Sequence, residues 1–235
     1  MNNLKYRNEL KHVVTMADAL VIKSRLSCML RTDRNAGPDG RYHIRSLYFD
    51  TPEDKALLEK MEGLPIKEKF RIRFYNHDHS FIRLEKKVKH YNKAAKLGAS
   101  LNKEYVQNIL NGDIDFLKQS DQALLREFYL KLRTERLASK TVVDYMREAY
   151  HYPAGNVRVT LDSKVRASIS STDLFDTALP SASALDSGIC ILEVKYDGFL
   201  PEFIQDIVQL NHCTSTPFSK YAACRLYNTA VRGIT

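Results

Sequence analysis

Short stretches of the chain alternate charged and apolar residues at a period of two: Arg7-Asn8-Glu9-Leu10-Lys11, Lys69-Phe70-Arg71-Ile72-Arg73, Arg83-Leu84-Glu85-Lys86-Lys87, Arg158-Val159-Thr160-Leu161-Asp162 and Leu192-Glu193-Val194-Lys195. Successive side chains of a strand point to opposite faces, so each stretch predicts a strand with its charges on one side and its apolar residues on the other. The wider pattern predicts strands over about residues 6–14, 42–50, 66–75, 80–89, 141–152, 156–170 and 189–196. Asn76-His77-Asp78-His79 joins the third to the fourth as a hairpin, and Pro153-Ala154-Gly155 turns the fifth into the sixth.

Helical patterns fill the gaps. Thr15-Met16-Ala17-Asp18 has the form of a cap opening a helix through about Leu30. After the turn at residues 35–40 and the strand ending at Asp50, Thr51-Pro52-Glu53 predicts a short helix with Pro52 at its first position and Gly63 near its end. A helical middle covers about residues 102–110 and 120–137, where Leu124, Leu125, Phe128 and Leu132 share one stripe. Two more helices begin near Pro201 and Ser219. No repeat or low-complexity linker interrupts the 235 residues, which read as one domain, 1–235, of the α+β class. The expected architecture is an antiparallel β tunnel barrel of about eight strands with peripheral helices, because closure removes the sheet edges and gives the charged faces an interior to share.

Charge decides what that interior is for. With 36 Lys and Arg against 28 Asp and Glu, the net charge is +8, which favours acidic partners: nucleic acid, phosphorylated metabolites or an anionic membrane surface. Cations from strands far apart in sequence imply a shared concave surface for a polyanion, since cations gathered in a barrel are costly to desolvate unless something neutralises them. Arg71 and Arg73 present forks that match phosphate oxygens, and Lys87 and Arg83 repeat the pattern on the next hairpin strand; a charged, solvated edge strand is the plainer alternative. Glu9, Glu85, Asp162 and Glu193 are either counter-ions or ligands of a hard cation bridging phosphates. The Tyr and Phe residues interleaved with these strands are expected on the opposite face, in the core. His77 and His79 belong to a turn, and no phosphate-binding glycine loop, nucleophile elbow or Cys–His pair is present. Cys28, Cys190, Cys213 and Cys224 lack metal spacing and read as reduced thiols. No apolar run approaches the ~20 residues of a membrane span and no signal-peptide core is seen, so a cytoplasmic protein is expected, docking on a membrane-protein partner aside.

Eight motifs then fall in one order: Glu9-Leu10-Lys11, Ser46-Leu47-Tyr48-Phe49-Asp50-Thr51, Arg71-Ile72-Arg73, Leu84-Glu85-Lys86-Lys87, Tyr145-Met146-Arg147, Arg158-Val159-Thr160-Leu161-Asp162, Leu192-Glu193-Val194-Lys195 and Ser219-Lys220-Tyr221. Each is weak singly, but together they resemble, over nearly the whole chain, the VTC domain. This is the polyphosphate-polymerising domain of the vacuolar transporter chaperone complex and its stand-alone bacterial relatives, within the triphosphate tunnel metalloenzymes. The resemblance implies a metal-dependent transferase that moves the terminal phosphoryl of ATP to inorganic polyphosphate. It implies that Arg71, Arg73 and Lys220 meet the reacting phosphates, that Lys11, Lys87, Arg147, Arg158, Lys195 and Ser219 grip the rest, and that Glu193 holds Mn2+ or Mg2+, with Glu9, Glu85 and Asp162 as weaker candidates. Lys93 or Lys96 would add a further cation. Arg7 stands where the adenylyl cyclase and thiamine-triphosphatase branch has the first Glu of a Glu-x-Glu-x-Lys motif, which argues against that branch. Neither a phosphate-sensing domain nor transmembrane helices are seen, so regulation and translocation are expected to come from partners. A triphosphate or polyphosphate hydrolase and a non-catalytic polyphosphate- or RNA-binding module are the competing readings.

Overall fold

A computed structural model describes residues 4–209 and 218–232. Its strands are β1 (Arg7–Thr15), β2 (Arg31–Thr32), β3 (Arg41–Asp50), β4 (Ile66–Tyr75), β5 (Asp78–His90), β6 (Lys93–Leu101), β7 (Ala138–Tyr152), β8 (Val157–Ser168), β9 (Ser181–Ser183) and β10 (Ile189–Tyr196). Its α-helices are α1 (Met16–Met29), α2 (Lys55–Met61), α3 (Lys103–Asn111), α4 (Ala123–Thr134), α5 (Glu202–Val208) and α6 (Lys220–Arg232). The strands form one antiparallel sheet in the order β2-β7-β3-β4-β5-β6-β1-β10-β8-β9, and pairing of β7 with β8 closes eight of them into a ring. Among the described residues no helix is long and apolar enough to cross a membrane.

Local chemistry explains most boundaries. Thr15 and Asp18 form a reciprocal capping box at the start of α1. Asn76 and His77 have φ of 50° and 56°, the left-handed pair of a two-residue hairpin turn, so β5 begins at Asp78 within the expected four-residue connection. Asn102 caps α3, and Gly112 ends it in a left-handed conformation, φ 85°.

Two expectations are corrected. Pro52 does not open a helix: Asp54 turns left-handed at φ 56° and α2 starts at Lys55, because the Asp50 carboxylate accepts the N–H groups of Ala56 (2.8 Å) and Leu57 (3.1 Å). The sequence pattern also assigns no strand between Lys89 and Asn102, where β6 pairs with β5 from His90↔Lys93 to Ile82↔Leu101 and reaches β1 through Arg7↔Ala94 and Asn8↔Lys93. Gly98 matters here, because the Arg83 guanidinium occupies the space of its missing side chain; a Cβ would lie 2.7 Å from Nη2.

Apolar faces divide into three clusters. Outside the barrel, Phe70, Ile72, Phe74 and Leu84 pack under Val106 and Ile109 of α3 and Leu124, Leu125 and Phe128 of α4. Val159, Leu161, Leu192 and Val194 pack under Ile22 and Leu26 of α1 and Ile204 and Val208 of α5. The third cluster joins Tyr221, Ala222 and Cys224 of α6 to Tyr42, Ile44, Tyr48, Val143 and Tyr145. Cys28, Cys190 and Cys224 are free thiols; Cys213 lies outside the described residues.

The start of α6 is fixed by Asp50, 1% exposed, which accepts the Tyr221 hydroxyl at 2.6 Å as well as the α2 N–H groups. Asp54 holds Arg225 on the same helix at 2.6 Å. Asp50→Ala leaves these buried donors without their acceptor and is expected to cost about 3 kcal/mol or more in urea unfolding, the scale of several unsatisfied buried groups.

Candidate active site

The inward faces of the ring surround a cavity of about 770 Å³ lined by fifteen Lys and Arg side chains and by two carboxylates, Glu9 and Glu193. The structure brings Lys11, Arg71, Arg73, Lys87, Arg147, Arg158, Lys195, Ser219 and Lys220 to this one lining, from β1, β4, β5, β7, β8, β10 and the start of α6. Lys96 of β6 lines it too, and Lys93 does not. Arg83 turns aside onto Gly98. Arg7, in place of a carboxylate, pairs with Asp197 at 2.8 Å and donates to the Asn156 carbonyl.

Carboxylates set into the wall hold the cations in place. Asp162, fully buried, takes both arms of the Arg147 fork at 2.6 and 2.7 Å and Lys220 at 2.6 Å. Burial alone would raise its pKa, but Arg147 and Lys220 hold it at about 2. Glu85 takes Arg71 Nε at 2.8 Å and Lys96 at 2.7 Å, with Arg73 at 3.9 Å, and these three override burial to hold it well below the usual range. In this structure Asp162 and Glu85 are each paired with cations of the wall.

Glu9 and Glu193 are placed differently. Across β1 and β10, Glu9 faces Lys195 and Lys11 faces Glu193, so the carboxylates lie on a diagonal. Glu9 binds Lys87 at 2.7 Å and Lys11 at 3.0 Å, while Glu193 binds Lys195 at 2.6 Å and Lys11 at 3.4 Å. Burial opposes ionisation of both, yet the lysines keep both charged. Among the described residues no three His, Cys, Asp or Glu side chains gather as a metal-ligand set. Two hard carboxylates suit a small divalent cation that takes its remaining ligands from water and phosphate oxygens. Glu9 and Glu193 fit that description, with the three lysines able to turn to phosphate.

The tyrosines are a correction to the sequence pattern. Phe70 and Phe74 do lie opposite the charges, but Tyr42, Tyr48, Tyr75 and Tyr145 line the cavity among them. Arg71 donates to the Tyr48 hydroxyl at 2.9 Å, Arg73 to Tyr145 at 2.9 Å and Arg158 to Tyr42 at 2.7 Å, leaving each phenol its own proton to give. Burial would raise the Tyr48 pKa, but Arg71, Arg73 and Lys220 bring it below its ordinary value. The signal was present: Tyr42 and Tyr48 share strand parity with Ser46, and Tyr145 with Arg147, so each could have been assigned to the inner face.

Lys69 also lines the cavity, donating to Ser219 Oγ at 3.3 Å and lying 4.9 Å from the Tyr221 ring centroid. Burial, with Lys11 and Lys60 nearby and only partial relief from Asp50, lowers its pKa to about 7. The folded value lies below the unfolded one, so the unfolded chain holds the extra proton above pH 7, and this lysine makes the empty protein more stable as pH rises from there. A bound polyanion restores the charge. Tripolyphosphate binding at pH 8 is therefore expected to take up protons, seen in calorimetry as a dependence of the apparent enthalpy on the buffer's ionisation enthalpy; no such dependence would contradict the assignment.

Eight antiparallel strands closed into a ring around a basic cavity define the fold. The VTC domain family matches residues 6–227, and the chain belongs to that family. A solved structure from Hippeastrum, a protein named for adenylyl cyclase and described as having a dominant triphosphatase activity, is similar with a TM-score of 0.55 and 14% identity, covering 94% of this chain and 96% of that one. One from Bacillus halodurans, also carrying an adenylate cyclase name, has a TM-score of 0.48 and 15% identity over 86% of this chain and 84% of that one. No curated protein matches the chain.

Proposed function

We propose that this chain is a metal-dependent polyphosphate polymerase that transfers the terminal phosphoryl of ATP to a growing chain inside the barrel. The observation that carries this reading is the imbalance of the lining, fifteen cations against two carboxylates around a cavity of about 770 Å³, which suits a polyanion beside a nucleoside triphosphate. Membership of the VTC domain family supports it.

In the transfer, a terminal oxygen of the chain forms a bond to the γ-phosphorus while the bond from that phosphorus to the β–γ bridging oxygen breaks, leaving ADP. Little covalent chemistry is asked of the protein; alignment and charge neutralisation are sufficient. Arg71, Arg73 and Lys220 contact the reacting phosphates. They are held before substrate arrives, Arg71 by Glu85 and Tyr48, Arg73 by Ser46 and Tyr145, and Lys220 by Asp162, so little reorganisation is needed as charge develops. Lys11, Lys87, Arg147, Arg158, Lys195 and Ser219 hold the remaining phosphates. Glu193, with Glu9, would hold Mn2+ or Mg2+, which when bound supplies charge neutralisation between phosphate oxygens.

A second reading is favoured by one observation, the triphosphatase activity described for the Hippeastrum protein of the same fold. Water would then replace the chain as acceptor. Incubation with ATP, manganese and a short polyphosphate primer separates the two. The polymerase reading expects ADP released in equal number to phosphates added to the chain; orthophosphate released in equal number to ADP would establish the hydrolase.

A further inference from the structure

Two segments at one end of the barrel leave large apolar side chains in solvent. Leu58 and Met61 of α2, Leu64 and Ile66 just after it, and Tyr91 in the turn between β5 and β6 are all exposed, Met61 and Ile66 by 59% and Tyr91 by 67%. Single exposed apolar residues are ordinary on a folded surface, but the fold sets these five side by side. The Tyr91 N–H donates to the Pro65 carbonyl at 2.8 Å, Ile66 lies opposite His90 in the β4–β5 ladder, and the Leu64 N–H ties back to the Glu59 carbonyl of α2 at 3.0 Å. Tyr91 also has φ of 51°, in a two-residue hairpin turn at a position where Gly or Asn is the usual occupant. A bulky ring in that conformation is uncommon, and here it is held outward at the tip of the turn.

The charge around these tips has one prevailing sign. Residues 60–67 and 89–93 carry Lys60, Lys67, Lys89 and Lys93 against one carboxylate, Glu62. Among the described residues none of the four lysines makes an ion pair, and Lys67 stands directly opposite Lys89. Like charges directly opposite on neighbouring strands destabilise a sheet. Apolar tips ringed by lysines suit the boundary of an anionic bilayer: the aliphatic side chains enter among the acyl chains, the tyrosine lies at headgroup level, and the lysines reach to the headgroup phosphates.

We infer that Leu58, Met61, Leu64, Ile66 and Tyr91, with the lysines around them, form a docking surface for an anionic lipid bilayer. The inference stands on this outer surface and is independent of the reaction proposed for the cavity. Charge favours lipid over a second copy of the chain, because a two-fold interface through this face would set the four lysines against the same four of the partner.

The chain contains no tryptophan, so Tyr91→Trp supplies a single fluorophore at the tip. With vesicles of phosphatidylcholine containing phosphatidylglycerol, its emission should shift to the blue and the protein should sediment with the lipid. Vesicles of phosphatidylcholine alone should bind about tenfold more weakly or less, and added salt should weaken the anionic binding. The triple variant Met61→Ser, Ile66→Ser, Tyr91→Ser removes the apolar tips and no charge. It should bind the anionic vesicles about tenfold or more weakly than wild type, while tripolyphosphate affinity stays within about twofold, because none of the three side chains lines the cavity. Unshifted tryptophan emission, equal vesicle binding by the triple variant, or equal binding of neutral and anionic vesicles would overturn the proposal. A wild-type dimer that the triple variant abolishes, with vesicle binding unchanged, would also overturn it and assign the face to a second copy.

Discussion

Glu193→Gln is expected to lower kcat by about 10³-fold while tripolyphosphate binding without metal stays equal to wild type or tightens, the scale at which loss of a catalytic electrostatic contact is felt. Two opposite consequences follow from one lost charge. The proposed hard-cation site loses one of its two carboxylates, leaving Glu9 alone on the diagonal. Lys195, which holds Glu193 at 2.6 Å, is released to face phosphate while Lys11 keeps Glu9 at 3.0 Å, so the cavity becomes more attractive to anions. Metal titrations of turnover, with calorimetric binding of tripolyphosphate in chelator, separate the effects. A kcat within a few-fold of wild type would show that Glu193 does not hold the metal.

Arg71→Ala with Arg73→Ala is expected to remove most of the melting-temperature rise that tripolyphosphate gives over orthophosphate and to reduce turnover by about 10³-fold or more, from the loss of two charged donors at the developing charge. Glu85 complicates the variant: it is 1% exposed and would keep only Lys96 as a partner, so the empty protein also loses stability. The ligand-dependent shift is therefore the quantity to compare. Arg71→Lys with Arg73→Lys keeps the charge beside Glu85 but not the fork, and should fold well while still losing about 10²-fold in turnover. A double alanine variant with the wild-type ligand response would place the reacting phosphates elsewhere.

Strand parity made much of the inner face legible in the sequence. Wherever a charged residue recurs every second position, as at Lys69, Arg71 and Arg73 or at Glu193 and Lys195, the pleat fixes which side chains share a face, and ring closure does the rest. β6 was not legible, because Lys93-Ala94-Ala95-Lys96-Leu97-Gly98-Ala99-Ser100-Leu101 is rich in residues with little strand preference, and its conformation is imposed by the long β5 beside it. Lys60 was hidden for another reason: it reaches the cavity from a helix outside the ring, through a junction that depends on the Asp50 carboxylate meeting α2 and α6 at once. The tyrosines were misread by residue type. An aromatic ring on a charged face can serve as core and as a polar surface together, with Tyr48 stacked on Tyr221 at 5.1 Å while its hydroxyl accepts from Arg71.

The central claim is that the γ-phosphoryl of ATP passes to a phosphate chain within this tunnel. Its most direct measurement uses ATP radiolabelled at the γ-phosphate, and in parallel at the α-phosphate, with a divalent metal and a short unlabelled polyphosphate primer, the products being resolved by length. The γ-label should enter chains longer than the primer, in an amount matching the ADP formed, and the α-label should remain in ADP. Recovery of the γ-label as free orthophosphate without chain growth, or of the α-label in a cyclic nucleotide, would contradict it.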